Sequence, residues 1–134
     1  MEKEEIWIRL LNIVANAYET GNFDNMISYL SEDCVWESIW NIKPRVGKNN
    51  LKEYYYEKGK MIKENKSFCK CEIFKCSNMP VLGLLVEQKV NNEIVQVAIT
   101  IKINNDEKIS RIDISHSDFY YNKQIITEKR NRIS

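Results

Sequence analysis

Near Ser67 the hydrophobic period of this chain changes. Apolar residues recur every three or four positions before it and every second position after it, so helices come first and strands last. Ile6, Leu10, Val14, Ala17 and Tyr18 form one stripe of an amphipathic helix that Gly21 stops. Asn22 then stands as a cap before a short second helix carrying Phe23, Met26, Ile27 and Leu30, which Ser31, Glu32 and Asp33 end. A first strand is predicted over 34–40, with Cys34, Trp36, Ser38 and Trp40 on one face and Val35, Glu37 and Ile39 on the other. After Gly47 a third helix runs to Asn65 through Leu51, Tyr54, Tyr55, Met61 and Ile62. Lys58 is the polar exception on its apolar stripe, and Gly59 inside it costs about 1 kcal/mol relative to Ala.

The second half reads as four strands, near 68–76, over 81–90 and 94–103, and through Ile112 and Ile114. Asn91 and Asn92 make one tight turn, and Asn104, Asn105 and Asp106 the next. Val95, Val97, Ile99, Ile101 and Ile103 share one face, while Ile94, Gln96, Ala98, Thr100 and Lys102 share the other. Such a sheet has one dry face, and helices followed by an antiparallel meander give an α+β domain. With 134 residues there is material for one core. The division expected is a domain over 1–119 and a basic tail over 120–134.

Twenty Lys and Arg against nineteen Asp and Glu leave a formal charge of +1. That supplies no field to attract nucleic acid or an acidic membrane, and neither is predicted as a partner. Met1 to Glu5 has no basic n-region, and the apolar runs near 81–86 and 97–103 are too short to span a bilayer. The expectation is a cytoplasmic protein whose four cysteines stay reduced. Its excess of Ile, Lys and Asn points to an AT-rich, bacterial genome.

The order helix, short helix, strand, helix and four antiparallel strands resembles the nuclear transport factor 2-like superfamily. So does the run Gly21-Asn22-Phe23-Asp24 leading through Leu30-Ser31-Glu32-Asp33-Cys34-Val35-Trp36 to Pro44-Arg45-Val46-Gly47. The SnoaL-like and ketosteroid isomerase-like branches are nearest. The resemblance implies a cone-shaped, curved antiparallel sheet wrapped around the three N-terminal helices, a mostly apolar pocket at one end, and a homodimer packed through the outer sheet face. The outer positions of the fourth strand, Ile94, Gln96, Ala98 and Thr100, are mixed enough to suit that interface. Ketosteroid isomerase-like chemistry needs a carboxylate base, a helical Tyr and a protonated Asp. Ser38, Val14 and Ile99 stand at those places here, so isomerisation by that route is not expected.

His116, the only histidine, follows Ile112 and Ile114 on the inward face of the last strand. Beside Glu37 or Asp118 it suits proton transfer at neutral pH; the alternative is a histidine at the core edge bonded to backbone. Asp118 shares its face. The resemblance implies that Trp36, Ser38 and Trp40 turn toward the pocket, where two indoles around a hydroxyl either wall a ring-shaped ligand or fill the cone. Tyr18, Tyr54 and Tyr55 either bring phenol groups to the same region or are core residues with the hydroxyl at the rim. Cys69 and Cys71 share a strand face and Cys76 does not, with no second pair or nearby His to complete a zinc site, so no metal is expected. Without a GxGxxG or a P-loop no nucleotide cofactor is expected either. Lys123, Lys129, Arg130 and Arg132 read as a solvated, partly frayed tail. Two functions remain. One is a cofactor-independent isomerase, cyclase or dehydratase acting on a small hydrophobic cyclic molecule. The other is a non-catalytic ligand-binding or dimeric interaction module.

Overall fold

The computed structural model describes residues 3–64, 69–77, 79–90 and 92–132. In chain order the elements are α1 (Lys3–Thr20), α2 (Asp24–Ser28), β1 (Leu30–Ser38), β2 (Arg45–Val46), α3 (Lys48–Glu64), β3 (Cys69–Cys76), β4 (Leu82–Val90), β5 (Glu93–Ile103), β6 (Ile109–His116) and β7 (Lys123–Ile125). Asn91 of the predicted β4–β5 turn and Asn65 at the predicted end of α3 lie outside the described residues. Asn92 takes the left-handed conformation at φ 67°. In the next turn that conformation falls on Glu107, while the Asn104 Oδ1 accepts from the N–H groups of Asp106 and Lys108.

The fold is α+β: three helices lie within a curved, unclosed seven-stranded sheet of order β2-β1-β6-β5-β4-β3-β7. The predicted meander is β3 to β6, antiparallel throughout. β1 returns beside β6 in parallel, an addition that a one-dimensional pattern does not encode. β1 also begins four residues before the predicted strand. Its register slips between Leu30 and Val35, and this bulge lets the exposed Glu32 and Asp33 stay in solvent inside a strand. The dry face is as read: Ile99, Ile101 and Ile112 are buried, and Val97 and Ile114 are half-buried at one end.

Two glycines set how the helices meet. Gly21, at φ 77°, closes α1 with its N–H on the Ala17 carbonyl at 2.8 Å. A Cβ on Gly59 would lie 2.4 Å from the Gly21 carbonyl oxygen. The helix-weakening Gly59 is therefore the point where α3 touches the turn after α1. The expected cap shifts by one residue: Phe23 stands at the N-cap of α2 without a side-chain capping bond, while the Asn22 Oδ1 accepts from the Asp24 N–H at 3.1 Å in the turn before it.

The C-terminal segment departs from the solvated tail read in the sequence. β7 pairs with β3 at the sheet edge, and the Ile126 N–H donates to the Ile73 carbonyl at 2.8 Å. Beyond it the Arg130 guanidinium is wholly buried. It donates to the Cys71 carbonyl at 3.0 Å, to the Asn12 Oδ1 and to the Glu19 carboxylate. Asn12 is saturated: its amide nitrogen donates to the Ile8 and Lys129 carbonyls, and its oxygen also accepts from the Asn131 N–H. Arg132 bridges Glu72 and Glu19. The outer face of the sheet has its own small core, in which Tyr120 covers Phe74, Cys76 and Ala98. Of the outer β5 positions expected at a dimer interface, Ala98 is thus covered by its own chain, whereas Ile94 is 70% exposed.

Candidate functional site

Sheet register arranges the inner wall in rows running across the strands. Ser38, Ile114, Ile99, Leu84 and Ile73 form one row; His116, Val97, Val86 and Cys71 form the next; Val95, Gln88 and Cys69 form the last. Burial falls off along the first two rows toward β6. Ile73, Leu84 and Ile99 are buried, Ile114 and Val97 half-buried, and His116 exposed. These are inward-facing side chains that nothing in the described chain covers fully. They mark the less covered end of the inner wall.

Within the core, an aromatic series links the helices to β1. Trp36 lies 4.8 Å from Tyr54 between ring centroids, Tyr54 lies 5.0 Å from Tyr55, and Tyr55 lies 6.2 Å from Tyr18. The Tyr18 hydroxyl donates to that of Tyr55 at 3.4 Å. Burial raises the pKa of all three phenols, offset in part at Tyr54 by the Arg45 charge, so they are neutral donors and acceptors at physiological pH. Trp36 is 2% exposed, and its indole N–H is directed at the Tyr55 hydroxyl within the same series.

Two cations flank the rings. The Arg45 guanidinium lies 4.7 Å from the Tyr54 centroid and 5.8 Å from that of Trp36, with Nη1 donating to the Asn50 Oδ1 at 3.3 Å. Lys58 lies a helical turn beyond Tyr54 and Tyr55, its Nζ 5.6 Å from the Tyr18 centroid and near Cys69. Desolvation lowers its pKa, partly offset by the Cys69 sulfur. Sequence reasoning passed over both residues, although Lys58 interrupting an apolar stripe was the available signal.

The candidate residues separate. Tyr18, Tyr54, Tyr55 and Trp36 come together inside, and Ser38 is buried beside them on β1, its Oγ accepting from the Trp40 N–H at 3.3 Å. Trp40 does not continue the face of Trp36, because β1 ends at Ser38. It is 53% exposed on the following turn, where its ring meets His116 edge-on at 4.9 Å. β6 ends at His116, so Asp118 shares no strand face with it and is exposed in the short 3-10 turn Ser117–Phe119. Glu37 points outward to Arg111, which also holds Asp113. Thus no candidate carboxylate is paired with the imidazole among the described residues. Cys69 and Cys71 line the inner face and Cys76 the outer, and burial raises all three thiol pKa values. Among the described residues no group of three potential metal ligands assembles.

Neither a family model nor a curated protein matches the sequence. Solved structures do. The epoxide hydrolase/cyclase-like enzyme SalBIII of pyran ring formation in salinomycin superposes with a TM-score of 0.65 at 10% identity, over 94% of this chain and 100% of that one. A polyketide cyclase candidate from Xanthomonas campestris pv. campestris gives 0.63 at 11%, over 90% and 98%. This chain has the nuclear transport factor 2-like fold. A de novo designed protein with a curved β-sheet matches comparably, with a TM-score of 0.63 at 18% identity over 90% and 91% of the two chains. The likeness is therefore to an architecture. Among the described residues no helix is long and apolar enough to cross a membrane.

Proposed function

We propose that this protein binds a small, hydrophobic, cyclic molecule at the mouth of the cone, as a SnoaL-like ligand-binding module that needs no cofactor. The observation that carries this is the aromatic series from Trp36 through Tyr54 to Tyr55 and Tyr18, beside inner-wall residues Val97, Ile114 and His116 that the described chain leaves partly uncovered. Ring faces supply apolar area and the phenols a few polar handles. Tyr18, Tyr54 and Tyr55 hold the ring, Ser38 and Ile114 form the floor, and Trp40 with His116 forms the rim. In the row from Cys71 to His116 the uncovered end is Val97 and His116, one strand spacing of roughly 5 Å, which suits the edge of a ring. Native mass spectrometry of the purified protein, followed by thermal-shift titration with the compound it carries, tests this. Trp36→Phe keeps an aromatic side chain but shortens the series by one ring and removes the N–H, and is expected to weaken binding about tenfold. Unchanged affinity would remove Trp36 from the site.

The catalytic alternative places proton transfer on His116, with Asp118 as the acid on the same rim. SalBIII and the Xanthomonas cyclase candidate carry names of that reaction class on this fold. It ranks second because His116 faces Trp40 rather than a carboxylate. A homodimer through the uncovered part of outer β5, Ile94 and Gln96, belongs to either reading, and the protein is expected in the cytoplasm. Sedimentation velocity of the wild type and of Ile94→Lys is expected to show a dimer converted to monomer; a wild-type monomer at micromolar concentration refutes the dimer.

A further inference from the structure

We propose that Lys58 anchors a ring-bearing monocarboxylate, its ammonium group pairing with the carboxylate while the ring lies against the aromatic series. The proposal rests on the ligand-binding function above and names the chemistry that function selects. Lys58 follows Tyr54 by four residues and Tyr55 by three, so it extends the inward face of α3 by one turn. Its Nζ lies over Tyr18 and near Cys69, beside the wall row of Val95, Gln88 and Cys69.

Among the described residues no carboxylate lies within ion-pair distance of it. Glu19, Glu72, Glu37 and Asp113 are each paired with an arginine. A partly desolvated ammonium without a counter-charge destabilises the fold. Such a group makes physical sense where an anion arrives from outside. The phenol beneath it points the same way: Tyr18 is held protonated by burial and adds no negative charge. One cation among neutral donors and apolar walls balances a single negative charge. A phosphate dianion would remain half uncompensated there, which selects a carboxylate.

The test compares anions with neutral isosteres. 8-Anilinonaphthalene-1-sulfonate fluorescence reports occupancy, with N-phenyl-1-naphthylamine as its uncharged counterpart; 2-naphthoate and 2-naphthamide compete. Wild-type protein is expected to prefer 2-naphthoate to 2-naphthamide by at least about tenfold. Lys58→Met keeps the apolar stem and should bring that ratio within twofold while leaving the amide's affinity in place. A packing role for Lys58 would weaken both competitors alike and overturns the proposal. So does a wild-type ratio near one, a result that needs no variant to fold and leaves the ligand-binding function standing. If neither dye nor competitor binds the wild type, the ligand-binding function itself fails, and the proposal with it.

Discussion

Arg130 and Lys58 are both cations drawn out of bulk water, and the chain treats them in opposite ways. Arg130 on the C-terminal segment meets a carboxylate, two amide oxygens and a carbonyl, with its guanidinium geometry filled. Lys58 on α3 meets ring faces and a sulfur, and no acid among the described residues. A satisfied buried cation fastens elements together, here α1, β3 and the last residues of the chain. An unsatisfied one is a cost the fold carries for another purpose. Within one small domain, the Arg130 end is built as a closure and the Lys58 end as an opening.

The sharpest way to break this contrast is at Arg130. Arg130→Met leaves Glu19 only 17% exposed beside the Cys71 N–H. Breaking a buried pair costs about 3–5 kcal/mol, and Arg132, still in reach of Glu19, holds the loss near the lower bound. Chemical denaturation should show that loss, and Glu19→Gln in the same chain should recover part of it. A loss under about 1 kcal/mol would mean that the segment frays in solution and closes nothing.

The opposite sign is expected at the other end. Lys58→Met removes a desolvated charge and should raise Tm by roughly 2–4 °C. The pH dependence follows from the lowered pKa of Lys58. Between its folded and unfolded pKa values the unfolded chain holds more protons, so stability rises with pH across that alkaline window. The advantage of Lys58→Met is therefore full at neutral pH and shrinks as pH rises through the folded pKa toward the ordinary lysine value. Differential scanning calorimetry across that range checks it. A lower Tm for Lys58→Met would make Lys58 a structural cation like Arg130 and erase the contrast.

Periodicity made the helices, the meander and the dry face of Ile99, Ile101 and Ile112 legible, because burial on one face repeats with the backbone's own period. The parallel return of β1 was not legible, since pairing partners lie outside any local pattern. Nor was the closure. Lys129, Arg130 and Arg132 read as a solvated charge run; Lys129 and Arg132 are indeed exposed, but the Arg130 side chain is buried, held by Asn12, Asn16 and Glu19 more than a hundred positions earlier. Those three stand at spacings of four and three on one face of α1, a polar stripe that marks a face awaiting partners. At the site, parity carried Trp36 and Ser38 correctly inward and failed at Trp40, because strand alternation lapses where β1 ends at Ser38.

The smallest effect is expected at His116, on the rim that the opening presents to solvent. An exposed side chain whose aromatic neighbour is Trp40 contributes little to folding, so His116→Gln should change stability by less than about 0.5 kcal/mol. For binding it removes at most one neutral hydrogen bond, about 1 kcal/mol, whereas an aromatic wall such as Trp36 cut to Ala loses about 3–5 kcal/mol of packing. Affinity should therefore rank Trp36 far above His116. Turnover ranks them the other way if the protein is an enzyme, because a positioned acid or base contributes roughly a hundredfold or more to rate. Once the ligand is in hand, His116→Gln with full affinity and no conversion of the ligand by either protein places the opening among binding sites. A hundredfold loss of conversion at unchanged affinity would instead make His116 the proton carrier, and the Lys58 end would then hold a substrate in place for it.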